Sequence, residues 1–176
     1  AVRERLGDID IIAEDLGVLD DGVLKLRENS GLPGMKILMF AFDGNEDNDY
    51  LPCNIPENSV TYTGTHANDT ALGFLYKMTD EQFRDFKKCL RKVIKGQGLY
   101  MPIVDRKDAV KALCLSALNT KSYLVVLPVQ DILRLDNTAR MNTPAVASGN
   151  WTFRLEKQPD RRTMAALKRM IINSGR

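Results

Sequence analysis

Two stretches of this chain carry residue types that could do chemistry. In residues 60–70, VTYTGTHANDT, a β-branched and aromatic run ends at Gly64 and opens into a polar cluster holding the sole histidine, His66. A histidine there could serve as general base or as a hydrogen-bond partner for a polar substrate. In residues 9–17, IDIIAEDLG, an apolar run delivers the adjacent carboxylates Glu14 and Asp15 just before Gly17. Barrel enzymes hold catalytic groups in that position, at the carboxyl end of a buried strand. Each stretch also has a plain structural reading. Residues 60–70 could be a strand passing through a polar turn into a helix, and Glu14 a turn carboxylate accepting backbone N–H bonds. Asn142 and Asn150 lie in an irregular segment where polar groups could line a site. Phe40 and Phe42 read first as core residues of a buried strand, although one near the strand end could reach a mouth. The basic residues of 81–95 read as a solvated face.

The elements that must position these residues follow from periodicity. Residues 9–13, 36–42 (KILMFAF), 60–63 and 123–127 (YLVVL) are short apolar runs of the kind expected for strands covered on both faces of a parallel sheet. Between them lie helical patterns. Asp20 or Asp21 can cap a helix to about Asn29 that buries Val23, Leu24 and Leu26 and stops at Gly31. Further helices are expected over 71–77, from Thr79 or Asp80 to about Lys95 with Phe83, Phe86, Leu90 and Val93 inward, over 106–118, over 130–135, and from Asp160 to about Asn173. The loop DGNEDNDYLPCNIPENS has no periodicity, and loops of that length are usually functional or mobile. Four strands alternating with helices, and no hairpin, predict an α/β fold with a parallel sheet. Either an open doubly wound sheet or part of a (β/α)8 barrel would satisfy this, a full barrel needing about 250 residues and eight strands.

Composition narrows the function. The 176 residues, 44% hydrophobic and 27% charged, suit one globular unit spanning 1–176. A net charge of +2 with interspersed signs gives no nucleic-acid footprint. Cys53, Cys89 and Cys114 are odd in number and widely spaced, which points to reduced thiols of a cytoplasmic protein; with one histidine they match no zinc pattern, and no metal or cofactor is expected. No apolar run approaches the roughly 20 residues of a membrane span. There is no GxGxxG nucleotide motif, and the lack of a Gly-x-Ser-x-Gly elbow argues against a small open-sheet hydrolase. The opening residues AVRERLGDID are charged and helical, unlike a signal peptide, and resemble an entry into the middle of a longer chain.

Taken in order, IIAEDLG, PGMKILMFAF, YTGTHANDT, PVQDIL and ARMNTPAVASGNW resemble the carboxyl-terminal half of the amylomaltases, the bacterial 4-α-glucanotransferases, over about residues 8–155. The resemblance implies the C-terminal half, about strands 5–8, of a (β/α)8 TIM barrel, from an enzyme that moves α-1,4-glucan segments between maltodextrins with retention. Such enzymes set a nucleophile and an acid/base about 5 Å apart. Glu14 matches the family's general acid/base, which must keep a proton at neutral pH through burial and a nearby carboxylate. Asp15, Phe40, His66 and Asn142 match positions lining the sugar subsites, with His66 bonding the sugar at the cleavage point.

The departures from the family matter equally. Ala67 stands where the family has an aspartate directly after the histidine, the carboxylate that favours the oxocarbenium-like state. Losing one such group should cost at least roughly 3 kcal/mol of transition-state stabilisation. The chain has no Asp–His dipeptide, the usual form of the family's nucleophile. Met39 replaces a usual glutamine, Cys53 a histidine, and Ala145–Val146 a common Gly–Thr. The expectation is therefore a half-barrel inactive alone, or else a non-catalytic one that binds glucan weakly. Two raw sheet edges predict self-association or capture of the missing amino-terminal half. Glu14 and the His66 turn are expected to leave neighbouring parallel segments and face the same end of the sheet.

Overall fold

The fold is taken from a computed structural model, which describes residues 4, 5, 7 and 9–176. In chain order the elements are α1 (Asp21–Ser30), β1 (Gly34–Ile37), a 3-10 turn (Leu38–Phe40), β2 (Ser59–Tyr62), α2 (Ala71–Tyr76), α3 (Asp80–Gly96), α4 (Arg106–Leu118), β3 (Leu124–Val126), α5 (Val129–Ile132), a second 3-10 turn (Asn137–Ala139) and α6 (Arg161–Asn173). The strands form one parallel sheet in the order β1-β2-β3, with Ile37 beside Tyr62 and Tyr62 beside Val126. The crossover from β2 to β3 runs through α2, α3 and α4, whereas β1 reaches β2 through the 3-10 turn and a loop; helices packed on a parallel sheet make this an α/β fold.

The core lies between the sheet and α2, α3 and α4. Thr79 and Gln82 close a capping box at the start of α3, satisfying the backbone donors that open the helix, and Phe83, Phe86, Leu90 and Ile94 then recur on its inner face. Ile94, one position along from the predicted Val93, is the residue that reaches the core. Asp105 and Asp108 form a second capping box ahead of α4, whose Ala109, Val110, Leu113 and Ala117 are fully buried against the same core. Phe42 joins it, its ring 4.7 Å from that of Phe86. Between β2 and the α4–β3 turn the contact is polar: Ser122 Oγ lies 2.7 Å from Ser59 Oγ and 2.6 Å from Thr61 Oγ1. Buried hydroxyls paired this way cost little, because each keeps a partner. Arg176 fastens α6 to that turn, donating to the carbonyls of Leu118, Thr120 and Ser122.

Three expectations are corrected. Residues 9–13 do not form a strand: Ala13 alone makes a parallel bridge to Gly34, and Ile9 and Ile12 remain 43% and 39% exposed. This segment borders the sheet beside β1, with no described strand on its other side. The run 36–42 pairs only to Ile37, after which the chain tightens into the 3-10 turn while Met39 N donates to the Thr63 carbonyl. An apolar run cannot by itself reveal where pairing stops. Helix α1 has its predicted cap, Asp20, and its stop, Gly31 at φ 65°, but Val23, Leu24 and Leu26 are exposed. What holds the region is polar: Asp15 accepts from Met35 N at 2.7 Å and from Arg27 Nη1 at 2.9 Å.

Two substitutions test these supports. Leu90→Ala, in the middle of the core, should lower unfolding free energy by about 3 kcal/mol in urea denaturation. A Cβ at Gly34 would lie 2.3 Å from Asp15 Oδ2. Gly34→Ala should therefore displace Asp15 and speed amide exchange at Met35, whereas unchanged exchange there would rule out this role for the glycine.

Candidate functional site

The site is built at the carboxyl end of β2. After Tyr62 the chain must turn toward α2, and one buried side chain determines how. Asp131, from α5 and only 2% exposed, accepts from Thr63 Oγ1 at 2.5 Å and from Ala71 N at 2.8 Å. One carboxylate thus pins both ends of the turn that carries His66 and Ala67. Within the turn, Asn68 Oδ1 accepts from Thr65 N and Oγ1. A cleft of about 150 Å³ lies against it, lined by Thr65, His66, Asn68, Gln130, Asp131 and Arg140.

The segment after the second 3-10 turn closes on this turn from the other side. Arg140 donates Nη2 to the Ala67 carbonyl at 2.8 Å, Nε to the Asn142 carbonyl at 2.8 Å, and Nη1 to Asp69 at 2.5 Å. The amide of Asn142 donates to the His66 carbonyl at 3.1 Å. Asp69 also takes Lys77 Nζ at 2.8 Å and Asn137 Nδ2 at 2.9 Å. Gly73 leaves room for that asparagine, since a Cβ there would fall 2.1 Å from Asn137 Oδ1. Finally, the Trp151 ring lies 5.1 Å from the His66 ring, tilted by 33°.

The sequence-predicted residues therefore fall into two groups. His66, Ala67 and Asn142 meet at the end of β2, with Asn142 engaged through its backbone. Asp15 and Phe40 belong to the β1 side. There Phe40, 44% exposed, sets its ring 5.5 Å from Tyr50, and Lys36 Nζ sits 5.3 Å above the same Tyr50 ring. Burial, with lesser effects from Asp15 and Asp49, raises the Tyr50 hydroxyl above its ordinary range. Glu14 is exposed beside Asp15, so the burial expected of an acid/base there is not provided by the described residues. The Ala13 bridge and the β1–β2 register show the Glu14 and His66 segments running in the same direction, with β1 between them. Asn150 turns inward to close its own loop, bonding Thr143 N, Thr143 O and Val146 O.

Sequence reasoning missed Asp131, Asp69, Arg140 and Trp151. For Asp131 a signal existed: a carboxylate inside the otherwise apolar run VQDIL must be buried with partners or break the helix. Among the described residues there is no cluster of three His, Cys, Asp or Glu side chains able to hold a metal ion, and no helix long and apolar enough to cross a membrane.

Burial pushes the Asp131 carboxyl above the usual 3.8, while the Thr63 hydroxyl and Ala71 amide pull it back by less. A folded-state value above the unfolded one gives stability that is complete below the unfolded value and lost as pH rises through the folded one. The midpoint of urea unfolding should accordingly fall as pH rises above the ordinary carboxylate value of 3.8. Asp131→Asn, which cannot ionise, should flatten that slope; parallel profiles for the two proteins would show that Asp131 is not its source.

Comparison with known proteins supplies the remaining findings. The profile of a family described as 4-alpha-glucanotransferase matches residues 1–159. The chain is 39% identical over 155 residues to the 4-alpha-glucanotransferase of Streptococcus pneumoniae serotype 4, covering 88% of this chain and 29% of that one. It is 40% identical over 156 residues to the enzyme of the same name from Thermus thermophilus, covering 88% and 30%. A chloroplastic/amyloplastic relative from Oryza sativa subsp. japonica is 41% identical over 155 residues, with 88% and 24% covered. The chain thus spans less than a third of the length of these relatives. Among solved structures, the amylomaltase from Streptococcus agalactiae in complex with acarbose superposes with a TM-score of 0.85 at 29% identity, covering 99% of this chain and 34% of that one.

Proposed function

This chain belongs to the 4-alpha-glucanotransferase family, and from that premise we propose that it forms the part of a (β/α)8 barrel corresponding to about strands 5–8. The parent enzyme transfers α-1,4-glucan segments between maltodextrins by a retaining double displacement. What carries this reading is convergence. The ordered motifs of the family gather around one parallel sheet, on the Ala13 bridge, on β1, at the end of β2 and on α5 beside it, and the loop after α5 folds back so that Asn142 bonds the His66 turn.

In this reading Glu14 is the general acid/base, protonating the leaving glycosidic oxygen and later taking a proton from the acceptor. Phe40, His66 and Asn142 hold the sugars, Phe40 through its exposed ring and His66 through its imidazole, whereas Asp15, a subsite position by resemblance, is buried with its oxygens taken by Met35 N and Arg27. Ala67 brings no carboxylate to the cleavage point. Its methyl group cannot bond ring hydroxyls or favour positive charge at the anomeric carbon, so the chain by itself binds maltodextrin weakly and does not turn it over. Residues 1–176 form one structural unit without a separate second domain, the chain needs no cofactor, and it resides in the cytoplasm, a location supported by its three unpaired cysteines. Incubation of the purified chain with maltotriose should release no glucose and form no longer glucans; either product would refute the inactive reading.

A second reading has its own observation. Leu124 and Val126, on the same face as Val60 and Tyr62 by register, are 39% and 40% exposed on the edge strand β3. A partly bare apolar face beside an unpaired edge invites another strand. We propose that the chain self-associates there or captures the amino-terminal half of the barrel. Light scattering at micromolar concentration should report a dimer that Val126→Lys converts to monomer, and a wild-type monomer would eliminate self-association.

A further inference from the structure

Trp151 is the only tryptophan in the chain and His66 the only histidine, and the two are stacked on each other. Trp151 is nonetheless 52% exposed, so the histidine covers part of the indole and the rest is open. A large aromatic held half in water invites explanation, particularly in a left-handed backbone conformation: φ at Trp151 is 63°, a region that bulky side chains avoid. Ala145, in the same loop, is left-handed too, at φ 64°.

The loop fixes this ring in place. Trp151 N donates to the Met141 carbonyl at 2.7 Å, closing the base of the loop, and the Asn150 side chain ties its interior. Arg140 and the Asn142 amide then clasp the loop base to the His66 turn. The indole is thus an exposed apolar plate held by backbone bonds against His66, which with Thr65 and Asn68 lines a polar cleft. An apolar plate beside clustered donors and acceptors matches a pyranose ring, which has an apolar C–H face and a hydroxyl rim. Fixing the plate beforehand lowers the ordering cost of binding.

We propose that Trp151 is a glucan-binding residue, a stacking platform that seats a glucose ring of an α-1,4-glucan beside His66. The proposal rests on the glucan reading given above and extends it to a residue outside that set. Because no other tryptophan contributes, intrinsic emission reports on this position alone. Titration of the chain with maltoheptaose should shift or quench tryptophan emission saturably, with cello-oligosaccharide of equal length acting far more weakly. By calorimetry Trp151→Ala should bind maltoheptaose about tenfold more weakly, and Trp151→Phe should recover part of the loss. Calorimetric binding with no emission change, and unaltered affinity in Trp151→Ala, would overturn the platform while leaving the glucan reading intact. No binding by either method would overturn both. The emission arm uses the native chain, so it decides the matter even if a variant fails to fold.

Discussion

The geometry of this site depends on one buried carboxylate. Asp131 reaches from α5 across the end of β2 and takes a hydroxyl from Thr63 and an amide from Ala71. Without it the turn would lose the one side chain that ties its first residue, Thr63, to the start of α2. The arrangement runs against desolvation, which favours the neutral acid, and it persists because both oxygens find donors with good geometry. A buried acid in this role gives direction where an apolar contact would give only proximity. It fixes which way the peptide groups of the turn face, and hence where Arg140 and Asn142 can attach.

Around that anchor the site is a polar lattice joined mostly through main-chain atoms. Arg140 uses three nitrogens on three acceptors, two of them backbone carbonyls. A planar guanidinium suits this because its donors are set in a rigid fork, which a lysine could not reproduce. The consequence is a division of labour. The side chains of His66, Asn142 and Trp151 stay available at the surface of the lattice, while their backbones carry the structure. Apolar packing, in contrast, is confined to the layer behind the sheet, where Phe86, Leu90 and Leu113 set the distance between α3, α4 and the strands.

How much of this could be read from the letters differs by element. Helix α3 was legible because its cap and its periodicity agree, Thr79 opening it and Phe83, Phe86 and Leu90 following on the inner face, whereas α4 was legible only as a span, 106–118. The His66 turn was legible because a glycine and a polar cluster follow a β-branched run. The segment 9–13 was misread because its apolar letters describe a strand covered on both faces, whereas the described residues offer it a single neighbour. The same holds for α1, whose Leu24 and Leu26 stay exposed among the described residues. Periodicity reports the environment a segment is suited to, and these two segments are suited to more neighbours than the described chain provides. Arg140, Asp69 and Trp151 were illegible for another reason. Their roles arise from residues 71, 71 and 85 positions apart, such as Asp69 with Arg140 and His66 with Trp151, and no local pattern encodes such pairings.

That lattice also bears on whether, in the function proposed above, another group could supply the carboxylate that Ala67 does not. Asp69, two positions on, is the nearest acid in sequence. Its oxygens, however, are occupied by Arg140, Lys77 and Asn137. Swinging Asp69 toward a sugar would release the guanidinium from the carboxylate that pairs with it and loosen the hold on the Ala67 and Asn142 carbonyls. It would also free Asn137, which tethers the Thr70 amide at 3.1 Å. The histidine turn would be dismantled in supplying it with a charge. Asp131 is no better placed, because both of its oxygens hold the ends of the turn and burial works against its ionisation. The acids close to position 67 are thus committed to building the turn. A carboxylate able to work there has to come from position 67 itself, where the side chain is free because Arg140 engages only the carbonyl.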